Sequence, residues 1–298
     1  MDCDCAIVGA GPAGLHCGTY LGRYLRRAVI FDGGRPRASW IPVTHNFPCF
    51  PQGLPGREML EFLRKQAAMC GGEIRSEKVL SIGGSNNDFH LQTSDGVVTS
   101  RKIVLATGVY DIPPEIPNAD RYKGTTIRHC PICDAYEARG RKIAMFGHGD
   151  RGASETLWMM HYSRDLTLLT CGHSADEIEP SLRKKLRDAG IPIMEQKVAG
   201  IEEKGDELGA VILQDGTRIE EVFRGYSTMG LVPNNDLAKQ MGIELDDKGY
   251  IVVDADKRTS VEGVYAAGDI VSGDVAQVVV GMGHAAIACI SIHNALLR

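Results

Sequence analysis

Cys5-Ala6-Ile7-Val8-Gly9-Ala10-Gly11-Pro12-Ala13-Gly14 stands near the start of the chain, and Ala28-Val29-Ile30-Phe31-Asp32 follows it. Together these two stretches decide the fold. Cys5 to Val8 is a short apolar run with the character of a buried strand. A G-x-G-x-x-G turn comes next, then a helical pattern through Leu25, a second apolar run and an acid. This is the order of a dinucleotide-binding unit. Gly9 allows the tight turn, Gly11 lets the backbone approach a pyrophosphate, and Gly14 lets helix and strand pack closely. The helix N-terminus then faces the phosphates with its partial positive charge. Asp32 lies near the ~20-residue offset expected of a carboxylate that reads a ribose.

The same order returns later. Lys142-Ile143-Ala144-Met145-Phe146 reads as a strand entering Gly147-His148-Gly149-Asp150-Arg151-Gly152, with a helix through about Tyr162 and a strand at Leu166–Thr170. Two copies predict an α/β protein with two Rossmann-like dinucleotide-binding domains. The second copy ends its second strand on Thr170-Cys171-Gly172, where an acid would favour NAD and a nearby Arg the 2′-phosphate of NADP. The loop His173-Ser174-Ala175-Asp176-Glu177 is acidic and repels phosphate. Arg183, Lys184 and Lys185 read as a solvated helix face.

Between the two units lies Arg128-His129-Cys130-Pro131-Ile132-Cys133-Asp134. C-x-x-C at a helix start lowers a thiol pKa from ~8.5 toward ~7, and the adjoining carboxylate can supply a proton. Pro131 stiffens the loop. Pro113-Pro114 to Pro117 and Gly230 to Asn234 read as linkers. Trp40 to Pro55 reads as loop, Arg57 to Cys70 as an amphipathic helix, and Tyr250–Val253 as a strand. Short strands are expected at Glu73–Ile82, Phe89–Thr93 and Val97–Thr99.

The totals bound the partners. The chain has 298 residues, 43% hydrophobic and 24% charged, enough for two domains with cores of their own. A formal net charge of −5 argues against a nucleic-acid binder. Met1-Asp2-Cys3-Asp4 does not resemble a signal peptide. The most apolar run, Gln277 to Leu297, carries His284, His293 and Asn294 and reads as a buried helix, so no membrane partner is expected. Nine cysteines in a chain of this length do not form a structural disulfide framework. Cys5, Cys17, Cys70 and Cys289 read as small buried hydrophobes. Cys3-x-Cys5 has no second ligand pair at zinc spacing, so no metal site is expected.

Four signatures carry a resemblance: Gly9-x-Gly11-x-x-Gly14; Ala106-Thr107-Gly108; Cys130-x-x-Cys133-Asp134; and Gly263-Val264-Tyr265-Ala266-Ala267-Gly268-Asp269. Nearly the whole chain resembles the low-molecular-weight thioredoxin reductases, a branch of the flavoprotein disulfide reductases. The resemblance implies an FAD domain split between residues 1–113 and 246–298, and a central NAD(P)-binding-like domain at 117–242 carrying the dithiol. It implies that Gly9, Gly11, Pro12, Ala13, Gly14 and Asp32 hold the ADP part of FAD, with Ala106, Thr107 and Gly108 at the same domain. Asn46 resembles the family asparagine near the flavin, Gly268 and Asp269 face the pyrophosphate or ribityl chain, and Gln277 and Val278 resemble the pair beside the isoalloxazine. In the family, the residue matching Cys133 lies against the flavin, that matching Cys130 attacks the partner disulfide, and that matching Asp134 is the general acid/base. A cytoplasmic homodimer acting on a thioredoxin-like protein is the corresponding expectation.

The departures concern the electron donor. The His-Arg-Arg and further Arg of NADPH-linked members are absent from the second strand's end, which leaves NAD(P)H binding at Gly147–Gly152 open. Some relatives take electrons from ferredoxin. Others run as dithiol oxidases, closing disulfides in small molecules with oxygen as acceptor, and His129 and His284 would then serve as bases. The leading expectation is an FAD-dependent thiol–disulfide oxidoreductase that does not use NADPH efficiently; the dithiol oxidase is the alternative.

Overall fold

Cys3–Val8 is an interior strand, parallel to Ala28–Phe31 on one side and to Gly96–Leu105 on the other. An interior parallel strand covered on both faces reads as a near-continuous apolar run rather than an alternating one. Ile7, Ile30 and Val104 are accordingly fully buried, each worth about 1.5–3 kcal/mol against exposure. Glu73–Arg75 extends the sheet beyond Ala28–Phe31, and Val264–Ala266 joins it in parallel against Ile103–Leu105. Asp88–Thr93 and Val79–Ser85 complete it as an antiparallel pair, with alternating burial along Asp88–Thr93 because one face stays in solvent.

The structure, a computed structural model, describes residues 1–34 and 36–298. It divides into two units, one of Met1–Val43, Leu54–Tyr110 and Val232–Arg298, the other of Thr44–Gly53 and Asp111–Leu231. In the first unit, helix Pro12–Arg23 packs on helices Gly56–Met69 and Val278–Leu296. The last of these is long and apolar enough to cross a membrane by composition. Its polar residues are nonetheless engaged within the unit: His284 Nε2 lies 3.1 Å from Asp274, and Arg26 Nε donates to His293 Nδ1 at 3.2 Å.

The second unit has a five-stranded sheet, all parallel, in the order Ile193–Met194, Leu166–Leu169, Ile143–Phe146, Arg224–Ser227, Ile127–Arg128. Helix Gly149–Met159 follows the central strand. Val198–Lys204, Glu207–Leu213 and Arg218–Val222 form a separate antiparallel sheet. The two connecting segments, Val109–Asp111 and Leu231–Pro233, pair with each other as a two-stranded ribbon.

Several local expectations change. Tyr250–Val253 is not a strand: the Tyr250 N–H is taken by the Asp246 side chain at 2.8 Å, and only Ile251 makes bridges, to Leu245 and Val271. Val97–Thr99 is absorbed into the ten-residue strand Gly96–Leu105. Cys70 is half-buried, because it caps the C-terminus of helix Gly56–Met69 instead of lying inside it. The segment 44–53 belongs with the second unit, and the return to the first comes at Val232, before the expected 246.

Candidate active site

The first glycine turn is built by collision avoidance. A Cβ on Gly9, whose φ is +116°, would strike the carbonyl oxygen of Ala106, and one on Gly14 would strike that of Gly9. The backbones of the turn, the helix and the Ala106 strand end therefore meet at distances only glycine permits. At Gly11, the N-cap of helix Pro12–Arg23, no atom of the described residues beyond its chain neighbours lies within 4 Å of where a Cβ would stand. The helix N-terminus thus opens onto free space. Ala13 packs beside Gly268, and Gly281 of the last helix closes on the same pair. Thr107 is fixed from both ends: its Oγ1 donates to Asn234 O at 2.7 Å, and Asn234 Nδ2 donates back to Thr107 O at 2.9 Å.

The two carboxylates expected at the cofactor already have partners. Asp32 follows strand Ala28–Phe31; its Oδ2 pairs with Arg64, and its Oδ1 accepts from Gly34 N at 3.1 Å. Asp269 lies 3.3 Å from Arg37 Nη1. Gln277 is the N-cap and Val278 the first residue of the last helix. His284 is buried. Desolvation and then Lys257 pull its pKa below the usual value, against the pull of Asp274. Asn46 sits in the segment assigned to the second unit and accepts from Thr44 Oγ1 at 2.8 Å.

In the second unit, Cys130 and Cys133 are joined as a disulfide. Cys130 is the N-cap and Pro131 the first residue of a helix that lasts only to Asp134. The expected helix start is one turn, closed by the Cys133 N–H bonding to Cys130 O at 2.9 Å.

Asp134 is the perturbed group beside the disulfide. Its carboxyl is pushed up to about 6, chiefly by burial, with Arg128 and Tyr226 opposing. Oδ2 lies 3.5 Å from Arg128 Nε, while Oδ1 is buried with no hydrogen bond among the described residues. A buried oxygen left without a donor penalises the ionised form. Tyr226 donates its hydroxyl to the Asp134 main-chain oxygen at 3.1 Å, and burial followed by the charge of Asp134 raises its own pKa.. An acid near 6 holds a proton on roughly a tenth of molecules at pH 7, the range in which proton transfer in both directions is efficient. Tyr226 carried no sequence signal of a site role, since it lies within the buried strand Arg224–Ser227.

The second glycine turn presents a different surface. Thr170 and Cys171 at the strand end are buried, and burial pushes the Cys171 thiol up to about 12. Lys197 lays its methylene chain against Gly172. Arg183 pairs with the exposed Asp176 on the solvated face of helix Pro180–Asp188. The His148 and His173 rings stack at 3.7 Å, and Glu177 lies 3.5 Å from each.

A disulfide beside a perturbed acid, in a chain with two glycine-turn nucleotide folds, defines a dithiol oxidoreductase. A family model described as pyridine nucleotide-disulphide oxidoreductase matches residues 3–290, and the chain belongs to that family, on its thioredoxin reductase-like flavoprotein branch. It is 29% identical over 298 residues to the thioredoxin reductase of Treponema pallidum, covering 96% of this chain and 95% of that protein. It is 30% identical to NADPH-dependent thioredoxin reductase 3 of Arabidopsis thaliana, covering 97% of this chain but spanning only 58% of that protein. Among solved structures, the atypical thioredoxin reductase TRi from Desulfovibrio vulgaris Hildenborough is 31% identical, with a TM-score of 0.54 over 98% of both chains. The family implies FAD and, usually, NADPH. The first glycine turn fits a dinucleotide, since the space before Gly11 is open and the backbone crowding at Gly9 and Gly14 is present.

Proposed function

We propose that the protein is an FAD-dependent thiol–disulfide oxidoreductase that passes electrons between flavin and a partner disulfide through Cys130 and Cys133, without efficient use of NADPH. The observation that carries the reading is the Cys130–Cys133 disulfide beside a carboxyl held near neutral pH by burial. Gly9, Gly11, Pro12, Ala13, Gly14, Asp32, Ala106, Thr107, Gly108, Gly268, Asp269, Gln277 and Val278 are the proposed FAD contacts, with Asn46 near the flavin. Asp32 would hold the ribose. Bound FAD supplies the two-electron redox chemistry.

The chain's own part is thiol exchange. In the reduced form, the Cys130 thiolate attacks a partner sulfur and breaks the partner's S–S bond. Cys133 then attacks Cys130, re-forming their disulfide and releasing the second partner thiolate. Two electrons pass to the partner, and Asp134 delivers a proton to the leaving sulfur. A thioredoxin-like protein is the proposed partner, as the relatives' names state for them, and a cytoplasmic homodimer is the proposed form.

The case against NADPH rests on the second turn, where Thr170-Cys171-Gly172 replaces a phosphate-gripping group and Asp176 holds Arg183. Anaerobic mixing of the oxidised holoprotein with micromolar NADPH tests this. Flavin absorbance that persists for minutes is expected, and bleaching within seconds overturns it.

A further inference from the structure

The second glycine turn carries a constellation that the redox chemistry does not use. His148 is the N-cap of helix Gly149–Met159, His173 follows the strand Leu166–Leu169, and Glu177 ends a short 3₁₀ turn. Their ligand atoms all lie within 4.8 Å of one another. Glu177 Oε2 is 3.5 Å from the Nδ1 of each histidine. Two donors bound to one tetrahedral zinc at ~2.0–2.1 Å stand about 3.3 Å apart, so both separations are close to those of a shared ion.

A second, independent feature points the same way. Behind His173, Glu115 Oε1 lies 3.4 Å from Nε2, the nitrogen not directed at Glu177. A carboxylate on the far nitrogen is the usual support of a metal-bound histidine, fixing its tautomer and ring direction. The 3₁₀ turn that presents Glu177 is itself anchored, by Ser174 Oγ accepting from Asp176 N at 3.1 Å and by Glu195 accepting from Ala175 N at 3.0 Å. The rings are now parallel to within 8°. Ligation tilts them so that both lone pairs meet the ion, and each histidine side chain is about a third exposed, which leaves room for the tilt. His173 and Glu177 stand four residues apart in one loop, but His148 belongs to the preceding glycine turn, so no spacing motif announces all three.

We propose that His148, His173 and Glu177 form a binding site for a divalent transition metal of the zinc class, with Glu115 as the supporting carboxylate and a fourth position left to water. Imidazole and carboxylate donors suit zinc and not the all-oxygen ions. The site lies at the turn where a nucleotide phosphate would otherwise rest, so a bound ion and a pyridine nucleotide compete for it. The metal binding itself does not depend on the function proposed above.

The test uses the FAD-loaded, disulfide-oxidised protein in a Cys49→Ser background, because Cys49 is an exposed thiol. Zinc sulfate is titrated in competition with a chromophoric chelator. One equivalent per chain is expected. His148→Ala or His173→Ala should weaken it at least ~100-fold, and Glu115→Gln by about 10–100-fold, with flavin content and circular dichroism unchanged. No stoichiometric binding, or zinc held equally well by both histidine variants, overturns the site.

Discussion

Replacing Asp134 by Asn removes one charge and leaves the shape of the side chain. In the fold the carboxyl stands at about 6 against an ordinary 3.8. Ionising it there costs about 3 kcal/mol more than in the unfolded chain. Because its side chain is 21% exposed, that figure is an upper one. An acid whose pKa is raised by folding destabilises only once it ionises. The penalty is absent below about 3.8, grows between about 3.8 and 6, and is full above 6. From these values it is about 1.6 kcal/mol at pH 5 and about 3 kcal/mol at pH 8. The Asn variant escapes it at both pH values. The attraction of Arg128 is already contained in the value of about 6, and the cost of the amide's own contacts varies little with pH and cancels in the comparison. The variant's stability relative to the parent should therefore rise by about 1.4 kcal/mol from pH 5 to pH 8, read from denaturant midpoints. At the same time its turnover of a partner disulfide should fall by about 10²–10⁴. Parallel pH–stability curves for parent and variant would show that the carboxyl is not raised, and the proton-transfer role would lose its support.

Other expectations are simpler. Cys130→Ser and Cys133→Ser should each take partner-disulfide turnover to background while leaving FAD content unchanged; retained turnover in either, measured as thiol release, would remove the exchange mechanism. Gly14→Val drives a Cβ into the Gly9 carbonyl, and the collision is with backbone that cannot give way. It should cost about 3 kcal/mol or more and yield protein depleted in FAD by absorbance ratio. Tyr226→Phe deletes the donor to the Asp134 carbonyl and should cost about 1 kcal/mol in a denaturant midpoint while lowering turnover.

The two nucleotide folds were legible because their decisive features are local. Strand, glycine turn, helix and strand follow one another within a short stretch, and steric demand at Gly9 and Gly14 leaves no residue but glycine. The same locality made Cys130-x-x-Cys133-Asp134 stand out. What sequence missed was brought together by the sheet. Tyr226 reaches Asp134 because strands Arg224–Ser227 and Ile127–Arg128 are neighbours, an adjacency no spacing encodes. His148 and His173 meet because parallel strands Ile143–Phe146 and Leu166–Leu169 end at the same edge. Tyr250–Val253 misled for the opposite reason. Its β-branched residues have strand character, but the Tyr250 N–H donates to the Asp246 carboxylate and not to a neighbouring strand.

The most direct test of the account is electron transfer from a dithiol to the flavin, run anaerobically with excess reduced dithiothreitol or a reduced thioredoxin-like protein, in the parent and in Cys133→Ser. The parent flavin should bleach and the variant flavin should stay oxidised over the same minutes, because Cys133 is the sulfur proposed to link the dithiol to the flavin. Equal bleaching in both proteins, or none in the parent with any dithiol, would contradict the claim that electrons pass through Cys130 and Cys133.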